Sequence, residues 1–176
     1  DSIEADALIR HLNPMQEVFQ SSGDTDWRTI IDDIAQVCAW SPVPVVVKEV
    51  GFGLDVRSAK ALVASGVDVL DVAGMGGTRF ADIEIALNPE IHETLSSDRV
   101  FDGWGYTTSE SLSMIKGARP ETTCWASGGI RNGLDVAKSM CLGASAVGIA
   151  GKLLRPATES TEAVLTTLRH FMNELN

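Results

Sequence analysis

Basic residues are scarce in this chain. Fourteen Lys and Arg stand against twenty-four Asp and Glu in 176 residues, giving a net charge of −10 at pH 7. A protein so charged repels a phosphate backbone, which excludes broad nucleic-acid binding but leaves room for one anion held in a local pocket. Long apolar runs are also missing. No stretch approaches the roughly 18 residues needed to span a bilayer, and the opening Asp-Ser-Ile-Glu has no basic segment followed by an apolar one. The sequence therefore reads as a soluble cytoplasmic protein with no membrane partner and no visible export signal. Cysteine is sparse as well: Cys38, Cys124 and Cys141 are odd in number, share no metal-ligand spacing and lie in apolar stretches. They are expected as reduced, buried thiols. Cys124 precedes a Gly-Gly turn, yet no His or acid beside it would activate it as a nucleophile.

What is present is globular, with 44% hydrophobic and 22% charged residues. Near-continuous apolar runs at Val43 to Val50, Val67 to Ala73, Thr123 to Ser127 and Ala144 to Ile149 suit strands buried on both faces, the pattern of a parallel sheet. Ala5 to Leu12 is read as a further strand. Helical spacing links them. Trp27, Ile30, Ile31, Ile34, Val37 and Cys38 recur after Asp24 and Asp26, either of which could cap the helix. Asp55 to Ala64 and Asp135 to Leu142 each end at a glycine, Gly66 and Gly143. Thr108 to Ile115 is a shorter candidate, and Thr78 to Gly105 is expected as a helix followed by a mobile loop, interrupted by Pro89. Near the C-terminus Val164, Leu165, Leu168, Phe171, Met172 and Leu175 form a stripe expected to face the core. Strand and helix thus alternate throughout. An internal echo, Gly53-Leu54-Asp55-Val56 against Gly133-Leu134-Asp135-Val136, repeats the βα unit and serves a doubly wound sheet or a (β/α)8 barrel equally.

In parallel α/β proteins ligands gather where strands end, because loops and helix N-termini there offer backbone N–H donors. Ser127-Gly128-Gly129-Ile130-Arg131 and Ala150-Gly151 could together cup a phosphate, with Arg131 adding a charge-assisted bond. The glycines would equally serve as plain tight turns. Lys48 interrupts an apolar strand and needs either an anionic or electron-rich ligand or a structural ion pair with Glu49 or another carboxylate. Thr78 could donate its hydroxyl to the same ligand or cap a helix. The densest polar group is His11, Asn13, Gln16 and Glu17, with Pro14 placed to start a helix. Glu17 could hold Mg²⁺ with substrate oxygens and water, or simply complement the helix dipole. Trp104 between Gly103 and Gly105 could line a pocket or pack under a loop. His92 and His170 read as surface residues, and Asp71 is left without an assigned partner.

The segments HLNPMQE, VPVVVKEVGFG, DVAGMGGT, WGYTT and ASGGIRNGLDVAKSMCLGASAVGIAG, taken in this order from Asp6 to Leu154, resemble the FMN-dependent type 2 isopentenyl-diphosphate isomerases. The resemblance implies a flavin-bearing (β/α)8 barrel that interconverts isopentenyl and dimethylallyl diphosphate with reduced FMN and Mg²⁺, NADPH being the expected reductant. By position, Lys48, Thr78, Gly128, Gly129, Ile130, Arg131, Ala150 and Gly151 would contact FMN. Gln16 would contact substrate, Glu17 would ligate Mg²⁺, and His11 and Asn13 would face the diphosphate or flavin, with Gln16 and His11 as the catalytic candidates. Ala73 departs from a hydroxyl-bearing position near the flavin, which removes one hydrogen bond or leaves it to water. The expected partners are a small diphosphate substrate and further copies of the chain in a homo-oligomer. Another flavin barrel, such as a 2-hydroxy-acid oxidase, is the enzymatic rival, although no His-x-Gly-Arg-like segment appears. Five strand candidates cannot close an eight-stranded barrel of about 250 residues. Residues 1–176 are therefore expected to be its C-terminal part, about four to five βα units, and an inert fragment needing the missing N-terminal strands is the third reading.

Overall fold

The computed structural model describes residues 4–88, 101 and 103–175. Five short strands, β1 (Leu8–His11), β2 (Val45–Lys48), β3 (Val69–Asp71), β4 (Cys124–Ala126) and β5 (Ala146–Val147), form one sheet in the order β1-β2-β3-β4-β5. Every neighbouring pair is parallel. A doubly wound sheet reverses its strand order at a switch point, whereas this one winds in a single direction. The fold is part of a (β/α)8 barrel, and the two topologies that the internal echo left open are thereby separated.

The strands are shorter than their apolar runs because the flanking residues leave the ladder to make the turns. Two helices follow β1, α1 (Pro14–Val18) and α2 (Ile30–Trp40); α3 (Val56–Ala64) follows β2. Between β3 and β4 lie α4 (Phe80–Leu87) and α5 (Thr108–Ala118); α6 (Gly133–Cys141) precedes β5, and α7 (Gly151–Glu159) and α8 (Thr161–Leu175) close the described chain. The helix assigned to an Asp24 or Asp26 cap starts later than expected. Asp26 instead binds Arg28 at 2.7 Å and Asp24 accepts the Asp26 N–H, so both build a turn, and Thr29 precedes α2 without a side-chain cap bond. By contrast Asp55 caps α3 through the Ser58 N–H at 2.7 Å, and Thr107 and Glu110 form a reciprocal capping box on α5. Gly66 and Gly143 end their helices at φ +95° and +97°, as the sequence predicted. Pro89 and His92 fall outside the described residues.

Alternate positions of each strand face opposite ways. Val47, Leu70, Val72, Cys124 and Ala126 form one face, packed against Ile34 of α2, Leu62 of α3 and Leu112 and Ile115 of α5 in the main core. Cys124 is fully buried and its thiol is pushed up by desolvation, so it is core rather than nucleophile; Cys141, expected to be buried, is exposed. The register places His11 beside Lys48, Lys48 beside Asp71, Asp71 beside Trp125 and Trp125 beside Ala146 on the other face. That row crosses all five strands and takes in the last residues of β1, β2 and β3. It lies on the side that a closed barrel turns inward, and here that side is partly open: Ile9 is 53% exposed.

The C-terminal stripe does not behave as predicted. Phe171 joins Ile130 and Val136 in a small cluster, but Leu165, Leu168, Met172 and Leu175 are exposed, Met172 by 60%. Among the described residues α8 lies mainly on α6 and α7, and β5 is an edge of this sheet.

Close backbone approach explains the glycines at the end of β4. Gly128 has φ +92°, and a Cβ there would sit 2.1 Å from the Gly74 carbonyl oxygen; one on Gly129, at φ +78°, would lie 2.7 Å from the Gly76 carbonyl carbon. The turns after β3 and β4 are thus pressed together backbone against backbone. Gly128→Ala is expected to cost at least about 3 kcal/mol, combining left-handed strain with overpacking, read as a lower urea midpoint at unchanged m value.

Candidate active site

Five strand ends carry the residues singled out in the sequence. After β1, Pro14 begins α1, which puts Gln16 and Glu17 in its first turn. Asn13 is buried and spends its amide on Glu17, donating from Nδ2 to Oε1 at 2.6 Å, while the Asp24 N–H reaches Oε2 at 3.0 Å. Asn13 therefore positions Glu17. One donor on each carboxylate oxygen leaves lone pairs for a cation, and no group of three or more His, Cys, Asp or Glu side chains that could hold a metal occurs among the described residues. Glu17 fits a single ligand to Mg²⁺, whose shell substrate oxygens and water complete, and does not fit a dedicated protein cage.

A residue not singled out from the sequence now joins this group. Glu84 of α4 accepts from Gln16 Nε2 at 2.8 Å and from Gln20 Nε2 at 2.9 Å, and these bonds hold its carboxyl below the usual range. Its 68-residue separation from Gln16 hides the contact from any local pattern. Glu84 fixes the Gln16 amide by taking one of its two N–H donors, which leaves the second N–H and the oxygen for other partners. Glu84→Ala is expected to free that amide, raising KM for substrate about three- to tenfold while kcat changes less, in steady-state kinetics.

At the end of β2, Lys48 is half-buried and donates from Nζ to the Glu49 backbone carbonyl at 3.0 Å. The ion pair with the Glu49 carboxylate considered for it is absent, since that carboxylate is committed elsewhere. Glu49 Oε2 accepts the N–H groups of Val50, Gly51, Phe52 and Gly53 at 2.7, 2.7, 2.5 and 3.1 Å. Burial pushes its carboxyl up to about 7 against the pull of those four donors.

Beyond β3, Ala73 is buried with φ +36°, a left-handed conformation for a non-glycine residue, and donates its N–H to Asp71 Oδ1 at 3.2 Å. Asp71 also accepts from Ser127 Oγ at 2.8 Å, which supplies the partner that the sequence left open. Thr78 is exposed and does not cap α4, whose N-cap position is Arg79. Trp104 packs edge-on against Phe101 at 5.9 Å.

The phosphate reading changes in detail. The α6 N-terminus is already used: Asn132 Oδ1 accepts the Asp135 N–H, Asp135 accepts the Arg131 N–H, and Glu174 of α8 accepts the Gly133 N–H. The Arg131 guanidinium is turned to the Gly76 carbonyl at 2.7 Å. What remains is backbone. The N–H groups of Gly128, Gly129, Ile130, Ala150 and Gly151 find no acceptor among the described residues, and they belong to the ends of adjacent strands β4 and β5. Such a set suits a phosphate group. A cavity of about 290 Å³ is lined by Gly128, Gly129, Ile130 and Arg131 of this turn together with Thr107 and Lys138. Lys48, Thr78 and the α1 group do not line it.

Residues 6–176 match the family described as FMN-dependent dehydrogenase. The chain is 43% identical over 175 residues to an isopentenyl-diphosphate delta-isomerase of Stutzerimonas stutzeri, covering 99% of this chain and 50% of that protein. It is 48% identical over 165 residues to the protein of that name from Cronobacter sakazakii, covering 94% and 47%. The chain thus spans about half the length of the curated relatives it matches. Among solved structures it is similar to an (S)-mandelate dehydrogenase mutant, at TM-score 0.64 and 18% identity over 90% of this chain and 37% of that one. A mandelate oxidase variant gives TM-score 0.60 at 24% identity, over 82% and 37%. These likenesses agree with the consecutive parallel strands in pointing to one barrel fold. The chain belongs to the FMN-dependent dehydrogenase family.

Proposed function

We propose that this chain contributes the C-terminal half of a barrel that interconverts isopentenyl diphosphate and dimethylallyl diphosphate, using reduced FMN and Mg²⁺. The observation that carries the reading is the pair of adjacent strand ends with unspent backbone N–H groups, next to the inward row of His11, Lys48 and Asp71. Gly128, Gly129, Ile130, Ala150 and Gly151 would hold the FMN phosphate, with Arg131 released from Gly76 to join them. Lys48 and Thr78 would contact the rest of the cofactor. Glu17 would hold Mg²⁺ and so steady a substrate diphosphate that the acidic protein would otherwise repel.

Moving the double bond requires adding a proton at one carbon and removing one at another. Reduced FMN would supply acid–base chemistry at a ring nitrogen without net redox. His11 at the end of β1 and Gln16 in α1 would place the alkene and hydrogen-bond the diphosphate; an amide is a poor acid, so Gln16 orients rather than donates. NADPH is the reductant proposed to maintain the reduced flavin, and a cytoplasmic homo-oligomer is the proposed state. The 41–48% identities to proteins named as isomerases favour this chemistry over 2-hydroxy-acid oxidation. With the inner face partly open, the isolated chain is expected to be inert until the complementary strands cover it. Completed by the N-terminal half of the Stutzerimonas relative, it is expected to bind FMN about tenfold or more tighter than riboflavin, which lacks the phosphate. Equal affinities in a flavin fluorescence titration would remove the phosphate cup.

A further inference from the structure

Glu49 is the one buried carboxylate at the carboxyl end of the described strands whose oxygen gathers a whole turn, and no role in binding or proton transfer uses it. It follows Lys48 directly and is 6% exposed. A single oxygen, Oε2, collects four successive N–H groups, a concave arrangement made possible by Gly51 at φ +121° and Gly53 at φ +74°. The backbone of Glu49 is tied at both ends. Its N–H donates to the Asp71 carbonyl at 3.2 Å, and its own carbonyl receives Lys48 Nζ. The turn it gathers is in turn the anchor of its surroundings. Phe52 packs with Phe19 of the segment after α1 and Ala81 of α4, and lies 4.8 Å under the Arg79 guanidinium; its carbonyl accepts the Tyr106 N–H at 2.7 Å.

We propose that Glu49 is a positioning residue that, by clamping the Val50–Gly53 turn, fixes the carbonyl on which Lys48 rests and so aims that ammonium along the inner face of the sheet. The clamp and the lysine contact belong to one residue, so loosening the turn moves the carbonyl directly. The same turn carries Phe52 between α1 and α4, which bear Gln16, Glu17 and Glu84. The value of this aim rests on the reading of Lys48 as a flavin contact, but the clamp itself does not.

The test measures acylation of Lys48 by an N-hydroxysuccinimide ester, followed by mass spectrometry, relative to the exposed Lys60 and Lys138 of the same protein. Glu49→Gln keeps the shape and removes the charge that holds four donors. It is expected to raise the Lys48 rate about tenfold, the loss of roughly one charge-assisted hydrogen bond, with Lys60 and Lys138 unchanged. A folded variant with the wild-type Lys48 ratio overturns the proposal. Should the variant fail to fold, the wild-type protein decides. Between about pH 5 and about pH 8 the Lys48 ratio is expected to fall as Glu49 ionises and grips the turn, and a flat ratio overturns the proposal. The charged and titratable groups on the packed elements include His11, Glu17, Lys48, Asp71, Arg79, Asp82 and Glu84, and repeating the series in His11→Asn takes the neighbouring imidazole out of the reading. FMN titration of the protein completed by the N-terminal half of the Stutzerimonas relative separates the two ideas: a completed protein that takes no FMN counts against the flavin site, whereas the Lys48 ratio alone decides the clamp.

Discussion

Glu17→Gln, in protein completed with its other half, is expected to lower Mg²⁺-supported isomerisation roughly 100-fold while FMN affinity stays within about twofold. The size follows from a metal contribution of several kcal/mol to the developing charge, each 1.4 kcal/mol being tenfold. The selectivity follows from geometry. Glu17 is held by Asn13 and the Asp24 N–H at the first turn of α1, away from the glycine turns that would bind the cofactor phosphate. An amide keeps one acceptor for these donors but loses the charge that a hard cation needs. Asn13→Ala should produce a weaker version of the same defect, since it removes a donor and leaves the ligand. Unchanged Mg²⁺ dependence in Glu17→Gln would refute the ligand role.

The second large effect concerns stability and its pH dependence. Glu49 is raised to about 7 in the folded chain from an ordinary 4.5, because the cost of burying the charge exceeds what four N–H donors return. The folded state therefore binds more protons than the unfolded state between those two values. This contribution is fully present below about pH 4.5 and is lost as pH rises through about 7, a swing of about 3 kcal/mol. Urea unfolding of the wild type and Glu49→Gln at paired pH values is the check. The difference in their midpoints is expected to move steadily in favour of the variant from about pH 5 to about pH 8, and a constant difference would show that Glu49 ionises normally.

How much of this was legible from the residues differs from one element to the next. The runs around Val45–Lys48 and Val69–Asp71 gave away a parallel sheet because burial on both faces demands unbroken apolar sequence. Their order could not be read, because the same βα grammar serves two topologies and only strand pairing separates them. The echoed tetrapeptide shows a subtler limit. Asp55 caps α3, but Asp135 lies inside α6, which Asn132 caps, so identical letters occupy different helical positions. Asn132 precedes the second echo while Phe52 precedes the first, and that one preceding side chain decides where the helix begins.

The site was readable where its chemistry is local and hidden where it is not. Pro14, Gln16 and Glu17 lie within one turn, and their placement follows from a proline at the helix start. Glu84 sits on another helix and left no signal beyond being an acid in a short amphipathic segment. Arg131 shows a related limit: its guanidinium donates to the Gly76 carbonyl, 55 residues away in sequence, a contact no local motif carries. The apolar stripe of α8 was legible as a stripe and not as exposed, because burial depends on a neighbour beyond β5.

The decisive measurement joins this chain to the N-terminal half of the Stutzerimonas relative and follows isopentenyl diphosphate anaerobically with reduced FMN and Mg²⁺. Conversion to dimethylallyl diphosphate that disappears in Lys48→Ala is the expected result. A joined protein that binds FMN and oxidises a 2-hydroxy acid, while leaving isopentenyl diphosphate untouched, would contradict it.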